Sequence, residues 1–191
     1  MEKLVFEVPS IERKNDAIDY IQEFKEYGSE INGVGGLDKY IDNYEEWLNY
    51  LCECRNVIPN EKLVPGVTFF LVRKSDNRIV GMINIRLALN EKLKQLGGNI
   101  GYSIRPTERR KGYNKINLYL ALLECQKHNI KEALLDCDKS NVASSCTIKA
   151  LGGKLIEEYY ENKVYNTVVQ KYIIDVDTAI KTYWDIYNYG D

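Results

Sequence analysis

The sequence has little histidine, no disulfide pattern and no long apolar run. Its 191 residues include one histidine, His128, so multi-histidine metal sites are excluded and any Ser-His-Asp triad would depend on that residue. The five cysteines form an odd set without a C-x-x-C pair, which favours reduced thiols. Residues 1–10 carry charges at Glu2, Lys3 and Glu7 and predict neither a signal peptide nor a membrane-spanning helix. We therefore expect a cytoplasmic protein without a metal site.

The charges of the chain are nearly balanced. With 26 basic and 28 acidic residues the formal net charge is −2, so no strong field favours nucleic acid or an anionic membrane as partner. The 15 tyrosines are spread at core-like spacing and lack an interleaved basic stripe, which disfavours base stacking. A hydrophobic content of 45% over this length predicts a single domain, residues 1–191, with a sizeable core.

The first 58 residues predict a strand and two helices. Residues 4–8 have the pattern of a short strand, and residues 28–36, with four glycines, predict a loop between the helices. Helical spacing of apolar residues supports the two helices, at Ala17, Ile18, Ile21 and Phe24 and then at Leu37, Tyr40, Ile41, Tyr44, Leu48 and Leu51.

Residues 60–174 predict alternating strands and helices. The turn-forming segment Ser75-Asp76-Asn77 indicates an antiparallel hairpin. Strands are predicted at 67–73, 78–87, 99–104, 133–136, 154–160 and 164–174, and helices at 112–128 and 141–151. His128 falls at the end of a helix, where a histidine interacts favourably with the helix dipole.

Residues 175–191 predict a C-terminal helix with an aromatic stripe. Apolar residues recur at helical spacing at Val176, Ile180, Tyr183, Trp184 and Tyr187. Such a stripe docks on the body of its own domain or forms a dimer contact. The sequence leaves both open, so the chain is a monomer or a homodimer.

The segment between the strand ending at Ile104 and the helix beginning near Gly112 has the features of an anion site. Arg109, Arg110 and Lys111 precede a glycine and a helix N-terminus, whose first amides have no acceptor within the helix. A solvated charged loop that caps a helix would explain the same residues. Neither G-x-x-x-x-G-K-S/T nor G-x-G-x-x-G is present here, which disfavours nucleoside triphosphate and dinucleotide sites.

Two spaced motifs resemble the GNAT superfamily of N-acyltransferases. Arg109-x-x-Gly112-x-Asn114 is similar to the family's pyrophosphate loop, R/Q-x-x-G-x-G/A, with Asn114 in place of the usual small residue. Asn141 and Gly152 have the separation of eleven positions that the family shows between the fifth strand and the end of the next helix. The resemblance points to a bacterial subgroup of uncharacterised acetyltransferases.

The resemblance covers residues 60–170 and implies a fold. This is an α/β (mixed α+β) architecture with a central, mostly antiparallel twisted sheet of six to seven strands and a splayed fourth strand. Four helices and a C-terminal helix flank the sheet. Residues 1–58 would form the N-terminal strand and two helices, 60–174 the acyl-CoA-binding core and 175–191 the C-terminal helix.

The resemblance also implies acetyl-CoA as co-substrate, an amine as acceptor and no metal. The splayed strand would pair with the pantetheine arm, and the amides of residues 110–115 would bind the diphosphate. Asn141 would contact the arm or act as an N-cap, and both roles are compatible. The implied cofactor-binding residues are Tyr102, Ser103, Ile104, Arg109, Arg110, Lys111, Gly112, Tyr113, Asn114, Lys115, Asn141 and Ser144.

The implied reaction is direct attack of the amine on the thioester, without a protein nucleophile. Many family members have a tyrosine seven residues after the helix Asn as the acid for the thiolate, and Ile148 stands there. Ser144 and Ser145 lie on the same helical face and are the alternative acids. Cys146 is rotated away from that face, so we interpret it as a buried structural thiol.

The general base is not selected by the sequence. Four carboxylates lie near the relevant strand ends, at Glu91, Glu108, Asp136 and Asp138. The N-terminal helices and their glycine-rich connection are expected to form much of the acceptor pocket. The missing tyrosine also permits a second hypothesis, a non-catalytic acyl-CoA-binding or protein-interaction module on the same fold.

Overall fold

The computed structural model describes residues 2–163 and 166–187, which form seven strands, six α-helices and three short 3-10 turns. The strands are β1 (Leu4–Glu7), β2 (Gly66–Arg73), β3 (Arg78–Arg86), β4 (Ile100–Ile104), β5 (Glu132–Asp138), β6 (Lys154–Glu161) and β7 (Thr167–Asp175). The helices are α1 (Lys14–Glu26), α2 (Tyr44–Arg55), α3 (Glu91–Gln95), α4 (Tyr113–Lys127), α5 (Val142–Ala150) and α6 (Val176–Tyr187).

The strands form two antiparallel sheets. One has the order β1-β2-β3-β4 and the other β5-β7-β6, so β4 and β5 are edge strands. Asn99 joins them at their beginnings: its amide donates to the Leu134 carbonyl at 2.6 Å, and its Oδ1 accepts from the Leu134 amide at 2.9 Å. The expected antiparallel architecture with a splayed fourth strand is confirmed, and the splay divides the seven strands into sheets of four and three.

Apolar side chains bury both faces of the first sheet. Alternation along β2 sends Phe70 and Val72 to one face, where they pack with α1 and α2 around Trp47. On the other face α4 contributes a fully buried row that includes Leu118 and Leu122. The same cluster takes in residues of β5, β7, α5 and α6, so α4 packs against both sheets.

The second predicted helix begins later than its apolar spacing suggested. Leu37–Lys39 is a 3-10 turn, and α2 starts at Tyr44. Asp42 and Asn43 intervene, and such side chains favour turns and helix starts over helix interiors. The short helix α3 was not predicted, although Asn90 caps it by accepting a hydrogen bond from the Leu93 amide at 3.0 Å.

The C-terminal helix docks on α4. Val176 and Ile180 are buried in the core, and the Tyr187 ring lies 5.4 Å from that of Tyr119. Trp184 points away and is 48% exposed. The last residues of the predicted helix, 188–191, and the first of the predicted last strand, 164–165, lie outside the described residues. No helix in the described part of the chain is long and apolar enough to cross a membrane.

Candidate functional site

Beyond the joint at Asn99, β4 and β5 belong to different sheets and leave an unpaired region between their edges. We call it the β4–β5 cleft and define it by residues 101–104 of β4 and 135–138 of β5. The α4 helix starts after β4, and α5 starts after β5, so two helix N-termini accompany the diverging strands. An extended ligand could therefore pair with a free strand edge while its anionic end contacts a helix N-terminus.

The start of α5 is fixed by local hydrogen bonds. Asn141 is the N-cap, and its Oδ1 accepts from the Ser144 amide at 3.1 Å. Asp138 accepts from the Ser140 amide at 2.7 Å and holds the preceding turn. The N-cap role of Asn141 is confirmed, whereas its contact with a ligand stays a prediction.

The start of α4 has an unusual backbone. Gly112 is the N-cap with φ of +80°, and a Cβ built there would meet no atom within 4 Å. Arg110 also has a positive φ, +63°. Both residues are exposed, as is Lys115 in the first turn. The start of α4 thus faces solvent at Gly112, where the helix dipole favours an anion.

Two of the three basic residues before Gly112 turn back onto the protein. The Arg109 guanidinium donates to the Ser29 hydroxyl at 2.7 Å and to the Ile104 carbonyl at 3.2 Å. Lys111 pairs with Glu108 at 2.7 Å. These bonds to Ser29, Ile104 and Glu108 occupy two of the three side chains, so the expectation that all three surround an anion stays a prediction. Arg110 remains exposed.

Buried ion pairs hold the segment between β4 and α4. Glu108 accepts from Arg73 at 2.6 Å and from Arg78 at 3.1 Å, in addition to Lys111. Burial alone would raise the pKa of Glu108, but hydrogen bonds from Arg73 and Lys111 outweigh it and lower the pKa. Because three cationic side chains pair with this carboxylate and its pKa is lowered, Glu108 is a poor candidate for a base.

Arg105 ties the same segment to α1. Its side chain is almost fully buried, and Nη1 lies 2.7 Å from Asp19 and 2.9 Å from Glu23. Its Nε donates to the Ile79 carbonyl at 2.9 Å. Glu23 in turn accepts from the Thr107 amide at 2.9 Å. The sequence analysis did not identify this network, since its partners come from distant parts of the chain.

Polar side chains from three elements meet in the β4–β5 cleft. The Tyr102 hydroxyl of β4 lies 2.8 Å from Ser144 Oγ of α5, and Asn114 Nδ2 of α4 donates to Thr147 Oγ1 at 3.4 Å. Burial raises the pKa of Tyr102, and hydrogen bonding from Ser144 and Asn114 partly opposes that. Asn114 Oδ1 is buried and has no hydrogen-bond partner among the described residues.

The other residues expected at the cofactor site point elsewhere or are held in the core. Ser103 faces α1, accepting from the Tyr20 hydroxyl at 3.0 Å and donating to the Asn32 carbonyl at 2.6 Å. Ile104 and Tyr113 are buried together in a small apolar cluster. Their side chains support the cleft, and only their backbone groups are left to bind a ligand.

The candidate acids on α5 differ from one another. Ser144 faces Tyr102, whereas Ser145 donates its hydroxyl back to the Val142 carbonyl at 3.1 Å. Ile148 is fully buried in the apolar core. The interpretation of Cys146 as a buried thiol is wrong, because it is exposed on the outer face of α5.

A glycine-rich loop covers the opposite face of β4. At Gly33, φ is +71°, and a Cβ there would lie 2.2 Å from the Gly101 carbonyl oxygen and 2.5 Å from Tyr102 Cα. Such distances show direct backbone-to-backbone packing. The hydrogen bond from Ser103 to Asn32 fixes the same approach.

Asp136 differs from the other three candidate bases. Glu91 pairs with Lys94, Glu108 with three cations, and Asp138 holds a turn. Asp136 Oδ2 accepts only from the Gly97 amide in the hydrogen bonds described, at 2.8 Å, and its buried Oδ1 has no partner among the described residues. Burial raises its pKa, opposed by the Gly97 amide and Lys171. A carboxylate with a raised pKa and an unoccupied oxygen can take a proton.

Within residues 2–163 and 166–187 no group of three His, Cys, Asp or Glu side chains could hold a metal ion. The site consists instead of strand edges, helix N-termini and neutral hydroxyl and amide groups. Hydroxyl, amide and helix N-terminal groups can donate hydrogen bonds to a ligand and polarise its carbonyl.

The family model of the acetyltransferase (GNAT) domain matches residues 15–154 of this chain. The matched residues include most of α1, the β4–α4 segment and α5. No curated protein matches the chain.

Solved structures share the fold at low sequence identity. A GNAT-family acetyltransferase from Bacillus anthracis is 14% identical with a TM-score of 0.62, covering 92% of this chain and 96% of its own. The ribosomal L7/L12 alpha-N-protein acetyltransferase in complex with coenzyme A is 15% identical with a TM-score of 0.64, covering 91% and 96%. The ribosomal-protein-S5-alanine acetyltransferase from Vibrio fischeri is 13% identical with a TM-score of 0.64, covering 93% and 95%.

Proposed function

Because this chain belongs to the GNAT acetyltransferase family, we propose that it transfers an acetyl group from acetyl-CoA to an amine by direct attack on the thioester. The β4–β5 cleft is the observation that carries the proposal. It offers a free strand edge for an extended arm and the start of α4 for a diphosphate.

The proposed acetyl-CoA site uses mainly backbone groups. Residues 102–104 pair with the pantetheine arm, and the amides of residues 110–115 bind the diphosphate, with Arg110 and Lys115 adding charge from the surface. Asn141 and Ser144 contact the arm from α5. Arg109 and Lys111 shape this loop through Ser29 and Glu108.

The proposed chemistry needs a neutral amine. For an amine with a pKa near 10.4, deprotonation at pH 7 costs about 4 to 5 kcal/mol, so a base lowers the barrier. Asp136 is our candidate, acting directly or through one water, since its Oδ1 has no other partner among the described residues. A backbone amide of β4 polarises the thioester carbonyl.

The proposed acceptor pocket lies on the face of β4 that the loop of residues 28–36 covers. Relatives of the same fold are named as acting on protein α-amino groups and on spermidine, so the shared chemistry is an amine. The acceptor panel should therefore contain peptide α-amines and polyamines.

Calorimetry with acetyl-CoA, followed by a thiol-release assay against that panel, tests the proposal. We expect binding and release of CoA thiol with at least one amine. Absence of binding would remove the proposal. Tight binding without thiol release for any amine would favour the non-catalytic module, which the buried Ile148 permits.

Gly112→Glu tests the location of the diphosphate. The new carboxylate would stand at the start of α4 and weaken acetyl-CoA binding at least tenfold, about 1.4 kcal/mol. Gly152→Glu is the matched control, because its φ of +83° and its open surroundings are like those of Gly112. Equal affinity for the two folded variants would contradict this location.

A further inference from the structure

The two positions at which this chain departs from the family pattern are neighbours in space. Asn114 replaces a small residue in α4, and Ile148 replaces a tyrosine in α5. Asn114 donates to Thr147, which directly precedes Ile148. Both departures therefore lie on the pair of contacting helices α4 and α5.

A phenol from another element reaches this pair of helices. Tyr102 of β4 directs its hydroxyl at Ser144 Oγ, 2.8 Å away. Ser144 lies one turn before Ile148 on the same face of α5. The family's tyrosine is therefore absent from α5, where Ile148 stands, but Tyr102 of β4 brings a phenol to the same region.

The groups around the phenol can hold it in position. Ser144 is fixed by the N-cap of α5, since its amide donates to Asn141 Oδ1 at 3.1 Å. Burial raises the pKa of Tyr102, and hydrogen bonds from Ser144 and Asn114 offset part of that rise. After the phenol has given up a proton, two polar neighbours therefore remain to stabilise the phenolate.

Beside them lies an oxygen that could accept a hydrogen bond from a ligand. Asn114 Oδ1 is buried without a partner among the described residues. A buried oxygen in this state is costly unless a donor reaches it. An amide N–H of the pantetheine arm, which leaves the diphosphate at residues 110–115, is a donor of the right kind.

We propose that Tyr102 is the acid that protonates the departing CoA thiolate, with Asn114 and Ser144 as its positioning residues. This assignment rests on the proposed acetyl transfer. The amine nitrogen bonds to the carbonyl carbon, the C–S bond breaks, and its electron pair stays on sulfur. The Tyr102 O–H proton moves to sulfur, and the phenolate regains a proton from solvent. Asp136 takes the proton that the amine nitrogen loses and passes it to solvent. Amine and acetyl-CoA become acetylated amine and CoA.

Kinetics of Tyr102→Phe in the full chain test the assignment. Phenylalanine keeps the ring and removes the hydroxyl, so we expect kcat to fall about 100-fold, a usual contribution of a positioned acid. The KM and the dissociation constant for acetyl-CoA should change less than threefold. Tyr160→Phe is the matched control, because its hydroxyl bonds to Asn166 on the surface, and it should keep the full kcat.

A second pair of variants distinguishes the acid from a structural role. If Ser144 acts through Tyr102, Ser144→Ala should lower kcat, and adding it to Tyr102→Phe should cause little further loss. Multiplicative losses would show that the two act independently and would overturn the arrangement. A kcat for Tyr102→Phe within threefold of an active wild type would overturn the assignment alone. A wild type without turnover would remove the proposed function as well.

Discussion

Replacing Gly33 with alanine tests how the glycine-rich loop is held on the face of β4. The new Cβ would lie 2.2 Å from the Gly101 carbonyl oxygen, 2.4 Å from the Gly101 carbonyl carbon and 2.5 Å from Tyr102 Cα. These are backbone atoms of a strand that pairs with β3, so the loop must move instead, by about 1 Å to reach an ordinary contact.

The cost of Gly33→Ala has two separable parts. A left-handed φ costs an alanine about 1–2 kcal/mol, and the hydrogen bond from Ser103 to Asn32, which the shift would stretch, contributes about 1 kcal/mol. Alanine also lowers the conformational entropy of the unfolded chain, which stabilises the folded state by about 0.5 kcal/mol. We expect a net loss of about 1.5–2.5 kcal/mol, or a fall in Tm of about 3–10 °C for a chain of this size.

Gly28→Ala is the matched control. It also has a positive φ, +54°, but its Cβ would meet nothing within 4 Å, so we expect a loss of only about 1 kcal/mol. Urea unfolding measures both losses, and the thiol-release assay measures KM for the amine. We expect KM for the amine to rise in Gly33→Ala with little change in acetyl-CoA affinity. Equal stability and equal KM for the two variants would refute this account of the loop.

Two further predictions concern the cleft. Asn99→Ala should lower the free energy of unfolding in urea by about 2–4 kcal/mol, because the Leu134 amide and the Arg86 carbonyl lose their hydrogen bonds to the Asn99 side chain. A loss below about 1 kcal/mol would show that the contact between the two sheets does not depend on Asn99. Asp136 must be ionised to act as a base, and its pKa lies above the ordinary 3.8, so kcat/KM should fall as the pH drops through that raised pKa. Asp136→Asn should lower kcat/KM and abolish this acid limb, and an unchanged pH profile would exclude Asp136.

Local patterns in the sequence predicted most elements, because helix and strand periods depend on burial of one face. The N-cap at Asn141 and the turn at Ser75-Asp76-Asn77 are likewise short-range features, and both occur. The start of α2 was wrong, because apolar spacing continues through the turn at Leu37–Lys39.

The side-chain geometry of the site was less accessible to sequence reasoning. Arg109 bonds to Ser29, 80 positions away, and Tyr102 to Ser144, 42 positions away. No local pattern encodes such pairs. The charge of the loop before α4 was visible in the sequence, but the ion pairs of Glu108 with Arg73 and Arg78 required the fold.

Helix α4 packs against both sheets, so the two sheets should unfold together. The fully buried residues Leu118 and Leu122 of α4 belong to a cluster that includes side chains of β3 and β5. The backbone amides in the middle turns of α4 should therefore exchange with solvent deuterium only when both sheets open. The edge strand β6, with mostly exposed residues, can open locally instead. A ligand held at the first turn of α4 would therefore slow amide exchange across both sheets.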